Sequence, residues 1–169
     1  APMIAQLTVL PPTLVGLAFN PASVGGGSGS TGTVTISGPA PSGGLVVMLS
    51  GKSTTPPSST QLSGAARTLQ NPVSVPSQAT IAAGTTAISF PVTTKPVTAA
   101  TAVQITAAWG VYVTKTATLT VRPAFVDSFS LPPYGGSNGE VLGGTPMTGA
   151  VILNGQAPPE GLTVQIQSG

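Results

Sequence analysis

The sequence has no cysteine and no histidine among its 169 residues, and charged side chains make up only 5% of it. An ordinary soluble domain carries roughly 25% charged residues. Without cysteine, neither disulfides nor thiolate metal sites can form. Hydrophobic residues nevertheless reach 40%, whereas intrinsic disorder combines low hydrophobicity with high charge. We therefore expect a folded chain whose solvent-facing side chains are mostly uncharged.

The few charges are unevenly distributed along the chain. Residues 1–126 contain no Asp or Glu. The cations are Lys52, Arg67, Lys95, Lys115 and Arg122, and the acids are Asp127, Glu140 and Glu160. Phosphate recognition needs several clustered Lys or Arg side chains. Cations scattered in this way argue against nucleic acid as a partner.

The residues that usually carry chemistry are missing from most of the chain. Catalysis by acid, base or nucleophile needs a matched pair of titratable groups, and residues 13–123 have no His, Cys, Asp or Glu to activate their many hydroxyls. Calcium usually needs more than one carboxylate. Asp127, at the junction between the repeats, has no other acid close to it in the sequence. A Lys–Asn isopeptide bond at Asn20 or Asn71 would lack an assisting acid. The sequence predicts no enzyme activity, no catalytic residue, no metal site and no cofactor.

What the chain does contain is an internal repeat. Residues 5–11 read Ala-Gln-Leu-Thr-Val-Leu-Pro, and residues 117–123 read Ala-Thr-Leu-Thr-Val-Arg-Pro. The segment 32–38 (Gly-Thr-Val-Thr-Ile-Ser-Gly) is echoed at 149–155 (Gly-Ala-Val-Ile-Leu-Asn-Gly). A repeat of this length is the size of one domain. We predict the last strand of one repeat at 1–12, a complete repeat at 13–123, and the first three strands of another at 124–169.

Alternation of period two with β-branched residues, interrupted by Gly and Pro clusters, predicts strands throughout. In the complete repeat the predicted strands are 14–19, 33–37, 45–50, 73–75, 86–93, 102–109 and 115–122, with a long connection at 52–72. In the last repeat they are 126–131, 150–153 and 162–166. About seven short strands with turn chemistry between them are typical of an all-β, immunoglobulin-like β-sandwich. Val15, Leu17 and Phe19 are expected on the inner face of the first strand.

Three stretches make a family resemblance specific. They are Ala40-Pro-Ser-Gly-Gly-Leu-Val-Val-Met-Leu-Ser50, Val75-Pro-Ser-Gln-Ala-Thr-Ile-Ala-Ala-Gly84 and residues 117–123. These stretches resemble the tandem Ig-like repeats of large secreted or surface-displayed bacterial proteins, over residues 13–123 and more weakly over 124–169. The chain departs from antibody domains because it lacks the cysteine pair and carries its only Trp on the sixth predicted strand. The resemblance implies spacers, stalks or fibre units, with binding added in some cases.

Two outward positions of the strand 45–50 differ between the repeats. Val46 and Met48 are apolar, whereas the aligned residues of the next repeat are Thr163 and Gln165. A sandwich strand that is apolar on both faces is often covered by something. Val46 and Met48 are therefore our candidate assembly contact, against the alternative of a harmless local apolar patch.

Two further features have a structural and a functional interpretation. Trp109 and Tyr112 are expected to pack in the core, and the alternative is a sugar-stacking platform. The glycine-rich segment 25–30 opens no helix and precedes no Lys-Ser or Lys-Thr pair, so it is expected to connect strands rather than to bind phosphate.

These observations predict a structural segment of an extracellular or cell-surface filament, stalk or fibre. Its partners would be neighbouring repeats or subunits of the same protein. The alternatives are an adhesin or glycan-binding module, and a spacer beside a catalytic domain. No apolar run approaches the roughly 20 residues of a membrane span, and the start carries no signal-like segment. A strand at 4–10 from a neighbour could add one edge to the last repeat but not complete it, so we expect a window from a longer array.

Overall fold

The computed structural model describes residues 8, 10–54, 71–110, 113–131, 143–144, 146 and 148–167. Within these residues the chain is all-β, with eleven strands and no helix. In chain order the strands are β1 (Leu14–Asn20), β2 (Ser23–Gly25), β3 (Ser30–Ile36), β4 (Leu45–Ser53), β5 (Val73–Ser74), β6 (Gln78–Ile81), β7 (Ala87–Thr94), β8 (Thr101–Trp109), β9 (Val113–Arg122), β10 (Val126–Ser130) and β11 (Ala150–Leu153).

Strands β1 to β9 form two sheets. One has four strands in the order β1-β3-β7-β5, and the other has five in the order β2-β9-β8-β4-β6. Neighbouring strands are antiparallel except β2 and β9, which run parallel. Both sheets contribute side chains to one hydrophobic cluster, so the arrangement is that of a β-sandwich. We refer to residues 13–122 as the first unit.

Alternation of side chains explains which residues enter this core. Along β4, Leu45, Val47 and Leu49 are buried while the residues between them are exposed, because successive side chains of a strand point to opposite faces. The most deeply buried large side chains of the two sheets are Ile81, Ile105, Leu119, Val34, Val47, Val92, Val103 and Val121. Thr and Ser occupy many of the solvent-facing positions, as the low charge of the sequence predicts.

One glycine is required by packing in the four-stranded sheet. Gly32 on β3 lies opposite Phe19 on β1 and Phe90 on β7. A Cβ at Gly32 would overlap the ring of Phe90 and would lie 3.0 Å from Cε1 of Phe19. Gly32 therefore provides the space that the two aromatic rings occupy.

The structure confirms most of the predicted strands and corrects several details. Its described residues between Leu14 and Arg122 form nine strands, where the sequence predicts seven. The two that the sequence did not predict are the short strands β2 and β6. Val15 is exposed, not inward, because the pairing of β1 with β3 shifts register between Leu14 and Gly16. Such a bulge turns the extra residue away from the expected face.

Strands β10 and β11 form a separate antiparallel pair whose register matches that of β1 and β3. The first pair begins with Leu14 opposite Ile36 and continues after its shift with Gly16 opposite Thr35. The second begins with Val126 opposite Leu153 and continues after its shift with Ser128 opposite Ile152. The bulge therefore falls at the same step in both pairs, and Asp127 takes the place of Val15. We refer to residues 124–167 as the second segment.

Hydrogen bonds next to these pairs also recur. In the first unit, the N–H of Thr13 donates to Oγ of Ser37 at 2.9 Å, and the N–H of Ser37 donates to the carbonyl of Thr13 at 2.9 Å. In the second segment, the N–H of Phe125 donates to Oδ1 of Asn154 at 2.8 Å, and the N–H of Asn154 donates to the carbonyl of Phe125 at 3.1 Å. Each pair of bonds closes the start of its strand pair.

A turn recurs as well. The N–H of Gly44 donates to the carbonyl of Pro41, and the N–H of Gly161 donates to the carbonyl of Pro158, both at 2.8 Å. Both glycines have positive φ, 74° at Gly44 and 82° at Gly161, a conformation that glycine adopts without steric cost. The turn that leads into β4 therefore has the same form as the turn before Leu162.

The strand predicted at 162–166 is not present. Residues 162–167 have no regular secondary structure. In the first unit the corresponding strand β4 is held between β6 and β8. Among the described residues of the second segment no strand pairs with 162–167, so this stretch lacks the backbone hydrogen bonds that define a strand.

Candidate functional site

The outer face of the five-stranded sheet carries the predicted assembly contact. Val46 is 46% exposed and Met48 is 54% exposed, so both point outward as the sequence predicts. Their cross-strand neighbours are Thr80 beside Val46, and Gln78 and Ala108 beside Met48. The result is a small apolar patch with polar neighbours along β6. Thr163 and Gln165, at the aligned positions of the second segment, are also exposed. The role of Val46 and Met48 in assembly remains a prediction.

A larger apolar surface lies on the second segment. We call it the open apolar face, and it consists of Val126, Phe129, Val151, Val164 and Ile166. Together with Gln165 and Gln167 these residues line a groove of about 370 Å³. All five side chains are exposed, although their residue types are those of a protein core.

Comparison with the first unit shows what kind of surface this is. Val34 and Val47 are fully buried, whereas Val151 and Val164, at the aligned positions, are each 36% exposed. Leu49 is 6% exposed and its aligned residue Ile166 is 67% exposed. In the first unit these positions belong to the cluster that both sheets share. The open apolar face therefore has the residue pattern of both inner faces of a sandwich, at the positions of β1, β3 and β4. The described residues of the second segment contain no counterparts of the other strands of the first unit.

Trp109 and Tyr112 are predicted to pack in the core, with a sugar-stacking platform as the alternative. Trp109, the last residue of β8, is partly buried and packs against the core cluster, in agreement with its predicted inward position. It pairs with Val113 at the start of β9. Tyr112 lies outside the described residues, so a joint surface of the two aromatics is not defined.

Six of the eight charged residues lie in the part of the chain that the structure describes. Lys52, Lys95, Lys115, Arg122, Asp127 and Glu160 are all exposed, and Arg67 and Glu140 lie outside the described residues. In the part of the chain that the structure describes, no group of three or more His, Cys, Asp or Glu could hold a metal ion. Asp127 lies on the exposed bulge of β10.

Asn71 has a structural role that the sequence did not indicate. Its Nδ2 donates to the carbonyl of Gly51 at 2.9 Å, and its Oδ1 accepts from the N–H of Val73 at 3.1 Å. Gly51 is part of β4 and Val73 begins β5, so one amide joins strands of the two sheets. The sequence gives no signal for the bond to Gly51, because Gly51 lies 20 positions earlier in the chain. The amide of Asn71 is therefore hydrogen-bonded to the backbone and not to a lysine of the kind that an isopeptide bond requires.

Comparison with known proteins adds no identity. No protein-family model matches the chain, and no curated protein matches it either. Within the described residues, no helix is long and apolar enough to cross a membrane.

Proposed function

We propose that the chain is a structural, non-enzymatic segment of tandem Ig-like repeats in an extracellular filament, stalk or surface fibre. The observation that carries the proposal is the recurrence of the β1–β3 pairing in β10–β11. The two pairs share a register shift at the same step and the same closing hydrogen bonds. A chain that builds the same strand pair twice in succession is typical of a repeat array.

The proposed repeat boundaries follow from this recurrence. Residues 13–123 form one whole unit, 124–169 begin the next, and 1–12 carry the last strand of a preceding one, because 5–11 resemble part of β9. In this proposal the open apolar face belongs to the two inner faces of a second sandwich. Strands of the type of β7, β8 and β9 would complete its sheets, as they complete the two sheets of the first unit.

Surface chemistry supports a structural role rather than a catalytic one. With only 5% charged residues, close packing of units requires few charges to be desolvated, and desolvation of a charge costs several kcal/mol. The exposed Ser and Thr hydroxyls have no carboxylate or imidazole nearby in the first unit to make them nucleophiles. The partners in this proposal are neighbouring repeats and other copies of the same protein.

Concatemers test the proposal. Chains of two, three and four copies of residues 12–123 are measured by small-angle X-ray scattering. Because a nine-residue strand such as β4 rises about 3.3 Å per residue, we expect the maximum dimension to grow by a constant increment of about 30 to 40 Å per unit.

A glycan array with the original chain provides the second arm of this test. We expect no glycan to bind. Specific binding that Trp109→Ala abolishes would favour the adhesin alternative. A maximum dimension that grows irregularly with unit number would contradict a rod of repeats.

A further inference from the structure

Two turns from different parts of the chain meet at the end of β9. The first, which we call the glycine turn, comprises residues 25–28 and is closed by a 3.0 Å hydrogen bond from the N–H of Ser28 to the carbonyl of Gly25. The second, which we call the 154–156 turn, follows β11. A Cβ built on Gly27 would lie 2.8 Å from Oε1 and 3.0 Å from Cβ of Gln156. A Cβ built on Gly155 would lie 3.7 Å from the carbonyl oxygen of Gly26. The two turns are therefore in direct contact.

The glycine turn is fixed to the first unit. The N–H of Gly26 donates to the carbonyl of Arg122 at 2.9 Å. Gly26 is buried, and a Cβ there would lie only 2.6 Å from Cα of Pro96. Gly27 has a φ of 88°, which favours glycine over residues with a side chain. The position of the glycine turn is thus tied to the last residue of β9.

The 154–156 turn is fixed to the start of the second segment. Asn154 and Phe125 exchange two hydrogen bonds, of 2.8 and 3.1 Å. Only residues 123–125 separate β9 from β10, and Ala124 within this linker is buried. Each end of the linker is therefore bonded to one of the two turns.

These contacts form a closed ring. It runs from Gly26 to Arg122 by a hydrogen bond, along the linker to Phe125, then to Asn154 by hydrogen bonds, and back through the contact of the 154–156 turn with the glycine turn. A linker alone leaves two units free to reorient, whereas a ring of this kind removes that freedom. We infer that the glycine turn and the 154–156 turn form a joint that holds the second segment at a fixed orientation to the first unit. The glycine turn is the surface, and its partner is the turn that follows β11, the second strand of the following unit.

The first unit supplies an internal control. Ser37 and Gly38 align with Asn154 and Gly155, and Ser37 makes the same hydrogen bonds to Thr13 that Asn154 makes to Phe125. Among the described residues, no atom lies within 4 Å of a Cβ built on Gly38. A bulky side chain at Gly155 would therefore push against the glycine turn, whereas the same side chain at Gly38 would extend into open space.

Pulsed electron–electron spin resonance tests the joint on the whole chain. The sequence has no cysteine, so Ser50→Cys and Ser130→Cys, both at exposed positions, accept spin labels without competition. We expect one narrow distance distribution. Gly155→Trp should shift and broaden it, and Gly38→Trp should leave it unchanged. Gln156→Gly, which removes the side chain that contacts Gly27, should broaden it without adding bulk.

The outcomes separate this inference from the proposed function. A broad distribution in the parent chain, or an equal response to Gly155→Trp and Gly38→Trp, would overturn the joint. Thermal unfolding of each variant shows whether the first unit remains folded, so that loss of the joint is not confused with loss of the domain. The inference rests on the proposed function in one respect, which is that the second segment is the next repeat of an array. A rigid joint could exist in a chain whose concatemers form no rod, and a rod could form with a flexible joint here.

Discussion

Asn154 and Phe125 are joined by two hydrogen bonds, one from the N–H of Phe125 to Oδ1 of Asn154 and one from the N–H of Asn154 to the carbonyl of Phe125. Ser37 and Thr13 are joined in the same way in the first unit. The side chains differ, Asn in one and Ser in the other, but each supplies an acceptor oxygen at the same place. The same two hydrogen bonds recur although the residue that supplies the side-chain acceptor differs. This recurrence argues for a repeated unit.

The first prediction concerns this acceptor. Asn154→Ala leaves the N–H of Phe125 without its side-chain partner, and a typical intramolecular hydrogen bond contributes about 0.5 to 1.5 kcal/mol. We expect faster amide hydrogen exchange in β10 and β11, with β1 and β3 unchanged. Asn154→Ser, which introduces the residue found at Ser37, should keep most of the protection. Equal exchange in both variants would show that the acceptor does not matter.

The second prediction concerns Gly32. Gly32→Ala places a methyl group against the rings of Phe90 and Phe19, and overpacking a core typically costs about 1 to 3 kcal/mol. Denaturant unfolding should show this loss. Gly149, the aligned glycine, has its nearest side-chain atoms at 3.0 Å on Leu131 and 3.2 Å on Phe129, and both residues are exposed and free to shift. Gly149→Ala should therefore change the free energy of unfolding less. A larger loss for Gly149→Ala would contradict the packing argument.

The third prediction concerns the amide that joins the sheets. Asn71→Ala removes both the donor to Gly51 and the acceptor from Val73. An unsatisfied buried polar group costs about 1 to 3 kcal/mol, and Asn71 is partly buried, so we expect a loss of that order by chemical denaturation. Gln104→Ala, at an exposed position of β8, is the control and should stay within about 0.5 kcal/mol. If both variants lose the same free energy of unfolding, the hydrogen bonds of Asn71 do not stabilise the packing of the two sheets.

The fourth prediction concerns the candidate assembly contact. The double variant Val46→Thr and Met48→Gln carries the residues found at Thr163 and Gln165. Because both positions are exposed, the free energy of unfolding should change by less than about 1 kcal/mol in total. Analytical ultracentrifugation should show weaker self-association than in the parent chain. Unchanged self-association would mean that the apolar patch is not a contact.

Much of the sandwich could be predicted from sequence because its strands are long and alternate strictly. Strand β4 shows this, since Leu45, Val47 and Leu49 alternate with exposed residues. Strand β11 was predicted with its observed bounds. Strand β2 was missed because its three residues are too few to show a period. Val15 was misplaced since a bulge reverses the alternation of faces after one residue.

The candidate surfaces were predictable to different degrees. The outward position of Val46 and Met48 follows directly from alternation along β4. The open apolar face can be found by alignment within the sequence, since four of its residues align with buried residues of the first unit. Val126, Val151, Val164 and Ile166 align with Leu14, Val34, Val47 and Leu49. The joint could not be foreseen, because it depends on the approach of Gly27 to Gln156. The glycine-rich segment had been predicted only as a strand connection, and its sequence says nothing of what it touches.

The most direct test of the repeat is to complete the second unit. Gly169 aligns with Lys52, so a second copy of residues 53–123 is fused after Gly169, and amide hydrogen exchange is measured in β10 and β11. A matched extension carries Ile105→Asn and Leu119→Asn in the added copy, since both residues are fully buried in the first unit. If the second segment is the first part of the same sandwich, exchange in β10 and β11 should slow to the rates of β1 and β3 with the intact extension only. Exchange that is the same with both extensions as in the original chain would contradict the tandem repeat.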